Sequence, residues 1–558
     1  MPNNDTQHIP ADIVQQAAEQ TSDPVAVVTA ALEKLPSDPG AMYEDAVILA
    51  LKAVRRNDEA NYARLTAKAK GCKSRLDELT KPERESRQDN LQDLILNIAR
   101  SACTFGHDAN GRGIAVIETD EHREVWLLDS HGFARWLRAA YYQAHRSGIP
   151  DQALTTSTAT LNAIACHEGS EMAVHIRCAK IDDIYFIDLC NEKWQAIRVD
   201  HQGWTIVERP PIYFVRTNSM RPLVTPGENR DLAKLWIHIN IPETARLLLL
   251  AWLLDSLRPE TPFPILELHG EQGSAKSSTQ RHLRDLIDPN KVPLRGRPKS
   301  IEDIYIAATN NYVVSLENLS YLNSDQQDAL CSLATGGGFA TRQLYTNGDE
   351  FAQETKRPAI INGINHVATQ ADLIERVISI ETPTIAPDAR RDEKTLDAAW
   401  QADYPAIFAS LLDLFSASLA QLPAVRLEER YRMADYQLLG EAVSQVLGKR
   451  PGHFSELYRN AVAEGIDRGL EAFGITNALQ VFMFEKGKTW EGTYLALLGE
   501  LNRIPGSDRS NWPKSPQRLA GQLKRITPGL RQVGIKIEPL GHSRNGSRIR
   551  IALSREEE

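Results

Sequence analysis

Between Ile265 and Thr279 the sequence reads ILELHGEQGSAKSST. The residues there that can do chemistry are Lys276, the hydroxyls of Ser274, Ser277 and Ser278, and the small residues Gly270, Gly273 and Ala275. A lysine and a hydroxyl that follow a small-residue loop can hold a phosphate. Small residues let backbone N–H groups curl around the anion, the lysine neutralises its charge, and a serine after the lysine can ligate Mg²⁺. This is the layout of a phosphate-binding P-loop, with one departure. The pattern G-x-x-x-x-G-K-[ST] carries glycine before the lysine, and that position here is Ala275. The needed flexibility is expected from Gly273. The plain alternative is a glycine-rich turn between a strand and a helix.

The elements that must position these residues are legible around them. Ile265, Leu266 and Leu268, bracketed by Pro264 and Gly270, make a short apolar run that fits a buried parallel strand. Leu283, Leu286 and Ile287 give the following segment a helical face. About forty residues after Lys276, the run Tyr312–Leu316 ends in Glu317 with Asn318 beside it. An ATPase needs a carboxylate at such a strand end, to hold Mg²⁺ and polarise water. Further on, LATGGG precedes the extended run Phe339–Tyr345. Asn347-Gly348 then separates it from a second run starting at Phe351, which predicts a β-hairpin. Ala359–Asn362 reads as another buried strand ending in a polar residue, and Arg376 follows inside Asp372–Ile380.

The order of these pieces resembles a family. P-loop, apolar strand ending in an acid, L-x-TGG-x-x-x-x-R-x-LY, strand ending in Asn, then Arg is similar to the superfamily 3 helicases of the AAA+ class. The likeness is to the primase–helicase type of phages, plasmids and poxviruses, and it covers about residues 265–382. It implies ATP and Mg²⁺ as cofactors. It implies that Gly270, Gly273, Ser274, Ala275, Lys276, Ser277 and Ser278 cradle the nucleotide, with Ser277 and Glu317 on the metal. It further implies that Glu317, with Asn318 beside it, activates water, that Asn362 senses the γ-phosphate, and that Arg376 reaches the neighbouring subunit's ATP. The Phe339–Glu354 hairpin, with Arg342 and Tyr345, would line a central DNA channel. Three alternatives stand beside these roles: a strand-capping Asn362, Asn365 as the sensor, and Arg376 in an internal ion pair.

At 558 residues the chain has room for about three or four domains of ~150 residues. With 42% hydrophobic and 25% charged residues it has an ordinary globular composition, and its net charge of −9 excludes a basic nucleic-acid coat. Any polyanion site must be a local patch. The six cysteines form no C-x-x-C pair, so free thiols in a reducing cytoplasm are expected. The first residues, MPNNDTQHIP, carry no signal-peptide pattern. The longest apolar run, Leu247–Leu254, is far short of the ~20 residues of a membrane span. A cytoplasmic protein without a membrane partner is expected.

Residues 1–88 read as helices, with a charge-dense linker over Lys68–Arg87. Residues 89–230 read as an α+β accessory domain with strands that include Met172–Ala179 and Ile184–Leu189. Its aromatics fit a core better than a base-stacking platform. The P-loop domain is expected over 231–387, a helical region with a helix Ala406–Leu422 over 388–487, and a compact module over 488–558. In that module a helix, Pro516–Ile526, precedes two strands joined by a turn over Gly541–Gly546, which describes a winged helix. Nine Lys/Arg lie between Lys514 and Leu553 against the single acid Glu538. Arg518, Lys524, Arg525, Arg544 and Arg548 are therefore candidate contacts to duplex DNA. A protein-docking wing is the alternative.

The sequence thus points to an ATP-dependent DNA helicase or translocase for replication of a mobile genetic element. The motor is expected to be a homo-hexameric ring on single-stranded DNA, with any primase on a separate chain. An ATP-switched DNA-binding initiator and a P-loop defence or signalling ATPase are the rival classes.

Overall fold

The structure, a computed structural model, describes residues 23–81, 87–342, 350–471, 474–504, 512–543 and 546–553. The chain divides into two compact units. One holds the residues before Arg100 together with Ala140–Ser157; the other holds Arg100–Ala139 and everything from Thr158 on.

In the first unit Asp23 accepts the Val25 N–H at 3.0 Å and Pro24 occupies the first turn, which starts α1 (Pro24–Lys34). α2 (Asp45–Asn57) and α3 (Glu59–Lys68) meet at Asp58, whose carboxylate caps α3. Val28, Leu51, Val54 and Leu65 close their core. The stretch read as a linker instead forms α4 (Lys73–Leu79), because Leu76 is fully buried in that core while its charged neighbours stay wet.

Next in sequence come α5 (Arg87–Ala102), α6 (His131–His145) and α7 (Asp151–His167). The run of threonines in α7 hides its helical period, and the sequence reading missed it. In the second unit, β1 (Cys103–His107), β2 (Gly113–Glu118) and β3 (Arg123–Leu127) form an antiparallel sheet, extended in parallel by β4 (Ser170–Glu171). β5 (Val174–His175) pairs with β10 (Tyr213–Phe214). Between them, β6 (Cys178–Ile181), β7 (Ile184–Asp188), β8 (Ala196–Asp200) and β9 (Gly203–Val207) make an antiparallel meander. The expected single strand Met172–Ala179 is broken at Arg177, which adopts φ +62° and turns a fully buried guanidinium inward. There it bonds Asp288 at 3.1 Å and two backbone carbonyls. Arg284, also fully buried, stands 3.6 Å from the same carboxylate.

α8 (Arg246–Asp255) is apolar nearly all round and buried from Leu248 onward. After it comes a four-stranded sheet of β11 (Ile265–His269), β12 (Val314–Leu319), β15 (Ala359–Gly363) and β16 (Val377–Glu381), all parallel, in the order β12-β15-β11-β16. Parallel strands covered on both faces read as near-continuous apolar runs, which is why these strands were legible beforehand. α9 (Lys276–Asp285), α10 (Ile301–Asn310) and α11 (Ser324–Thr335) connect them. β13 (Gly338–Arg342) pairs with β14 (Glu350–Glu354) as the expected hairpin; its Asn347-Gly348 tip lies outside the described residues.

α12 runs from Glu393 to Gln421 without stopping at Pro405, where the sequence reading had started its helix. Packing of the helix against α13 (Ala434–Val446), β8 and β9 outweighs the one hydrogen bond that proline forfeits. Among the described residues, Glu393–Ala424 is long and apolar enough to cross a membrane, and half of its apolar window is buried inside the molecule. After α14 (His453–Glu471) and α15 (Gly474–Lys486), β17 (Thr489–Thr493) leads into α16 (Tyr494–Leu501) and α17 (Pro516–Gln532). α17 is one helix through Gln532 rather than a helix ending at Ile526. β18 (Ile535–Ser543) and β19 (Gly546–Leu553) complete a sheet ordered β17-β19-β18, so the strands extend through most of the expected turn.

Candidate functional site

The parallel sheet brings the candidate residues to one edge. Gly270 follows β11, Glu317 and Asn318 lie near the end of β12, and Asn362 near the end of β15. β15 separates β11 from β12, so the acid strand stands about two strand spacings, ~10 Å, from the glycine-loop strand. In open parallel sheets this carboxyl edge is where ligands bind.

Gly270 (φ +142°) and Gly273 (φ +84°) both use backbone space that side chains avoid. A Cβ at Gly270 would stand 2.6 Å from the Thr382 carbonyl oxygen. Ala275 is the surprise. It sits at the N-cap of α9 with φ +55° and ψ +31°, so the departure at this position is accommodated by a left-handed alanine in addition to the left-handed Gly273. Ala275→Gly is therefore expected to stabilise the protein by about 0.5–1 kcal/mol. Calorimetric unfolding checks this; an unchanged or lowered transition would mean the left-handed turn is not strained.

Lys276 folds over its own loop. Its Nζ donates to the carbonyls of Gly270 (2.8 Å) and Glu271 (2.7 Å) and to Ser274 Oγ (3.1 Å). Partial burial draws its ammonium below the usual lysine range. An anion that replaced these neutral acceptors would gain a charge-assisted bond. Ser274 is buried and shares a hydrogen bond of 2.8 Å with Thr382, whereas Ser277 is exposed beside Lys276 and Ser278 is half-buried.

The acid strand does not simply end at Glu317. Its pairing with β15 slips between Leu316 and Leu319, and Asn318 takes φ +54°. Glu317 N–H donates to the Arg295 carbonyl at 2.7 Å, so residues around Arg295 extend the sheet beyond β12. Asn362, 2% exposed, is fully engaged: Oδ1 accepts from Asn318 N–H (2.8 Å) and Nδ2 donates to Gln280 Oε1 (2.6 Å). Gln280 in turn donates to Ser315 Oγ and the Leu316 carbonyl. One amide thereby links α9, the bulged acid strand and β15. Gln280 was not singled out from the sequence, although its place one helical turn beyond Lys276 was the signal for it. Asn240 carried no such signal: it donates to the carbonyls of Ser274 (2.9 Å) and Pro383 (2.5 Å) from a segment far upstream.

Glu267 stands in the middle of β11, 1% exposed. Burial pushes its carboxyl up, but bonds from His366, Ser379 and the Ala368 and Val367 N–H groups outweigh this and hold it below the usual range. It fixes the loop after Asn362, whose Ile364 carbonyl accepts from Gly270 N–H at 3.2 Å. Burial, with the nearby positive groups, lowers His269 to about 4, so its imidazole is neutral at physiological pH.

Arg376 does not join the cluster. It precedes β16, at the opposite edge of the sheet, ~17 Å of strand away. It is 6% exposed and paired with Asp372 at 2.5 Å.

Two family models match the chain. That of the actinomycete integrative conjugative element replication protein matches residues 234–457, and that of the same protein's C-terminal domain matches residues 475–558. The chain is a mobile-element replication protein of this family. No curated protein matched the sequence. Among solved structures, the apo NrS-1 C-terminal region is similar at 13% identity, covering 84% of this chain and 100% of that one, with a TM-score of 0.37. The A form of the same region gives 12% identity, 83% and 98% coverage, and a TM-score of 0.36.

In this replication protein the C-terminal match holds most of the basic candidates. Arg518 and Lys524 are exposed on α17, whose other face buries Leu519, Leu523 and Leu530. Arg525 lies on the same helix. Arg548 is exposed but stands 3.5 Å from Glu491, which also binds Arg550 at 2.7 Å. Tyr345 and Arg544 lie outside the described residues, and Arg342 is described only through its backbone pairing with Glu350.

Proposed function

We propose that this replication protein is the ATP-driven motor of its element, a P-loop ATPase of the superfamily 3, AAA+ class that moves on single-stranded DNA as a ring. The observation that carries this is the convergence of Lys276, Glu317 and Asn362 on the carboxyl edge of one parallel sheet. Lys276, with loop N–H groups, would hold the phosphates of ATP; Ser277 and Glu317 would hold Mg²⁺, which polarises the γ-phosphate when bound. Glu317 would orient the attacking water, and Asn362 would report the γ-phosphate to Gln280 and Asn318. Arg376 would meet a nucleotide only across a boundary between two copies. The β13–β14 hairpin would face the single strand, and the C-terminal module, as a winged helix, would hold duplex DNA.

The test is the ATPase rate with and without single-stranded DNA, together with the mass in solution with ATP. DNA-stimulated hydrolysis by a ring-sized species is expected. Hydrolysis indifferent to DNA, or none, would sink the motor. A second reading, an ATP-switched initiator, is favoured by the strained Ala275 and by Asn318 where a second acid would help hydrolysis. Turnover without strand separation would mark it.

For the duplex contact, removing the module would also strip Leu519 and Leu523 from the core, so point changes are the cleaner probe. Arg518→Ala with Lys524→Ala is expected to weaken duplex binding and to reduce the slope of log K against log salt by about 0.9 per lost phosphate contact. An unchanged slope would make the module a docking element.

A further inference from the structure

A strap of chain after β16 crosses the glycine loop. Thr382 N–H donates to the His269 carbonyl at 2.8 Å and Ile385 N–H to the Gly273 carbonyl at 3.3 Å. At its far end the start of α12 is tied to α9, since Arg281 pairs with Glu393 (3.1 Å) and Asp397 (2.7 Å). Between these anchors lies Arg390. A Cβ built on Gly273 would stand 2.6 Å from Arg390 Nη2 and 3.3 Å from its Cζ, so the guanidinium rests directly on the loop. Residue 273 thus has two reasons to be glycine, its φ and this contact.

Arg390 is exposed, and no carboxylate among the described residues pairs with it. Arg281 on α9, by contrast, is doubly ion-paired to the start of α12. An unpaired guanidinium held by both flanks against a loop of backbone N–H groups is a preset anion ligand. Its fork can take two phosphate oxygens at once, which the point charge of Lys276 cannot. We infer that Arg390 is a phosphate-binding residue of the same chain's nucleotide site, gripping the di- or triphosphate beside Gly273. This rests on the reading of the loop as a nucleotide site.

The test uses the full-length protein and measures ADP and ATP affinity, with Mg²⁺, by calorimetry. Wild type, Arg390→Gln and Arg390→Lys are compared, with thermal unfolding of each. Arg390→Gln is expected to weaken ADP about tenfold or more, the size of one charge-assisted bidentate contact, with its unfolding transition unmoved. Arg390→Lys, which keeps the charge and loses the fork, is expected to fall between. ADP binding by Arg390→Gln equal to wild type would overturn the role of Arg390 while leaving the nucleotide site standing. Wild-type protein that binds neither nucleotide would overturn both.

Discussion

Lys276→Ala is expected to lower ATP turnover by on the order of 10³, with nucleotide affinity falling too, because the phosphates lose the ammonium that the loop holds ready. Glu317→Gln is expected to behave differently. The half-buried acid on the bulged strand would act on water and metal, so its amide should keep the nucleotide and lose turnover by about 10²–10⁴. The contrast matters more than either number. Lys276 is satisfied by three neutral oxygens of its own loop, so removing it leaves no buried charge behind and the fold should survive. Equal loss of nucleotide binding in both variants would show that the roles have been divided wrongly between loop and strand.

Asp288→Ala is expected to cost about 3–5 kcal/mol, the largest stability effect of any single change discussed for this chain. Its carboxylate is fully buried between Arg177 and Arg284 and also accepts the Tyr312 and Val313 N–H groups, both at 3.1 Å. Burial already draws Arg284 down to about 10, with Asp288 the main opposing influence. Without the carboxylate, two guanidinium groups would face each other in a dry interior. Chemical unfolding of the full chain measures it. A loss under about 1 kcal/mol would mean that water enters and solvates the arginines. The same change should leave the glycine loop's own hydrogen bonds intact, since none of them involves Asp288.

The sequence made the parallel strands and their polar ends legible for a simple reason. A strand buried on both faces must be apolar until it reaches the edge, and Glu317 and Asn362 mark those edges. The loop was legible because small residues and a lysine have few other reasons to sit between such a strand and a helix. What could not be read depends on partners distant in the chain. Arg177 breaks a strand only because Asp288 waits for it, and Pro405 stays inside a helix only because neighbouring elements hold that helix on several sides. In the sequence Asn318 was only the polar neighbour of the strand-end acid. Its left-handed backbone, pinned by Asn362, could be seen only once β12 and β15 were side by side. The linker reading of Lys68–Arg87 failed over Lys73–Leu79, where Leu76 is buried with Ala69 and Cys72 behind a screen of charge; residues 82–86 lie outside the described residues.

The clamp of Arg177 on Asp288 also bears on how this chain can be cut. A fragment begun at Asp231, where composition changes and prolines cluster, would keep Arg284 and Asp288 and lose the arginine that spans the cut. It would also strand Asp413, which binds Trp204 at 2.7 Å and Arg230 at 2.6 Å. The Arg177–Arg230 stretch, which looks detachable, is therefore tied into the unit that holds the parallel sheet. Because the clamp grips the chain just beyond the end of α9, and Lys276 begins that helix, any tilt of α9 would pull on the buried ion pair that joins it to the β6–β9 meander.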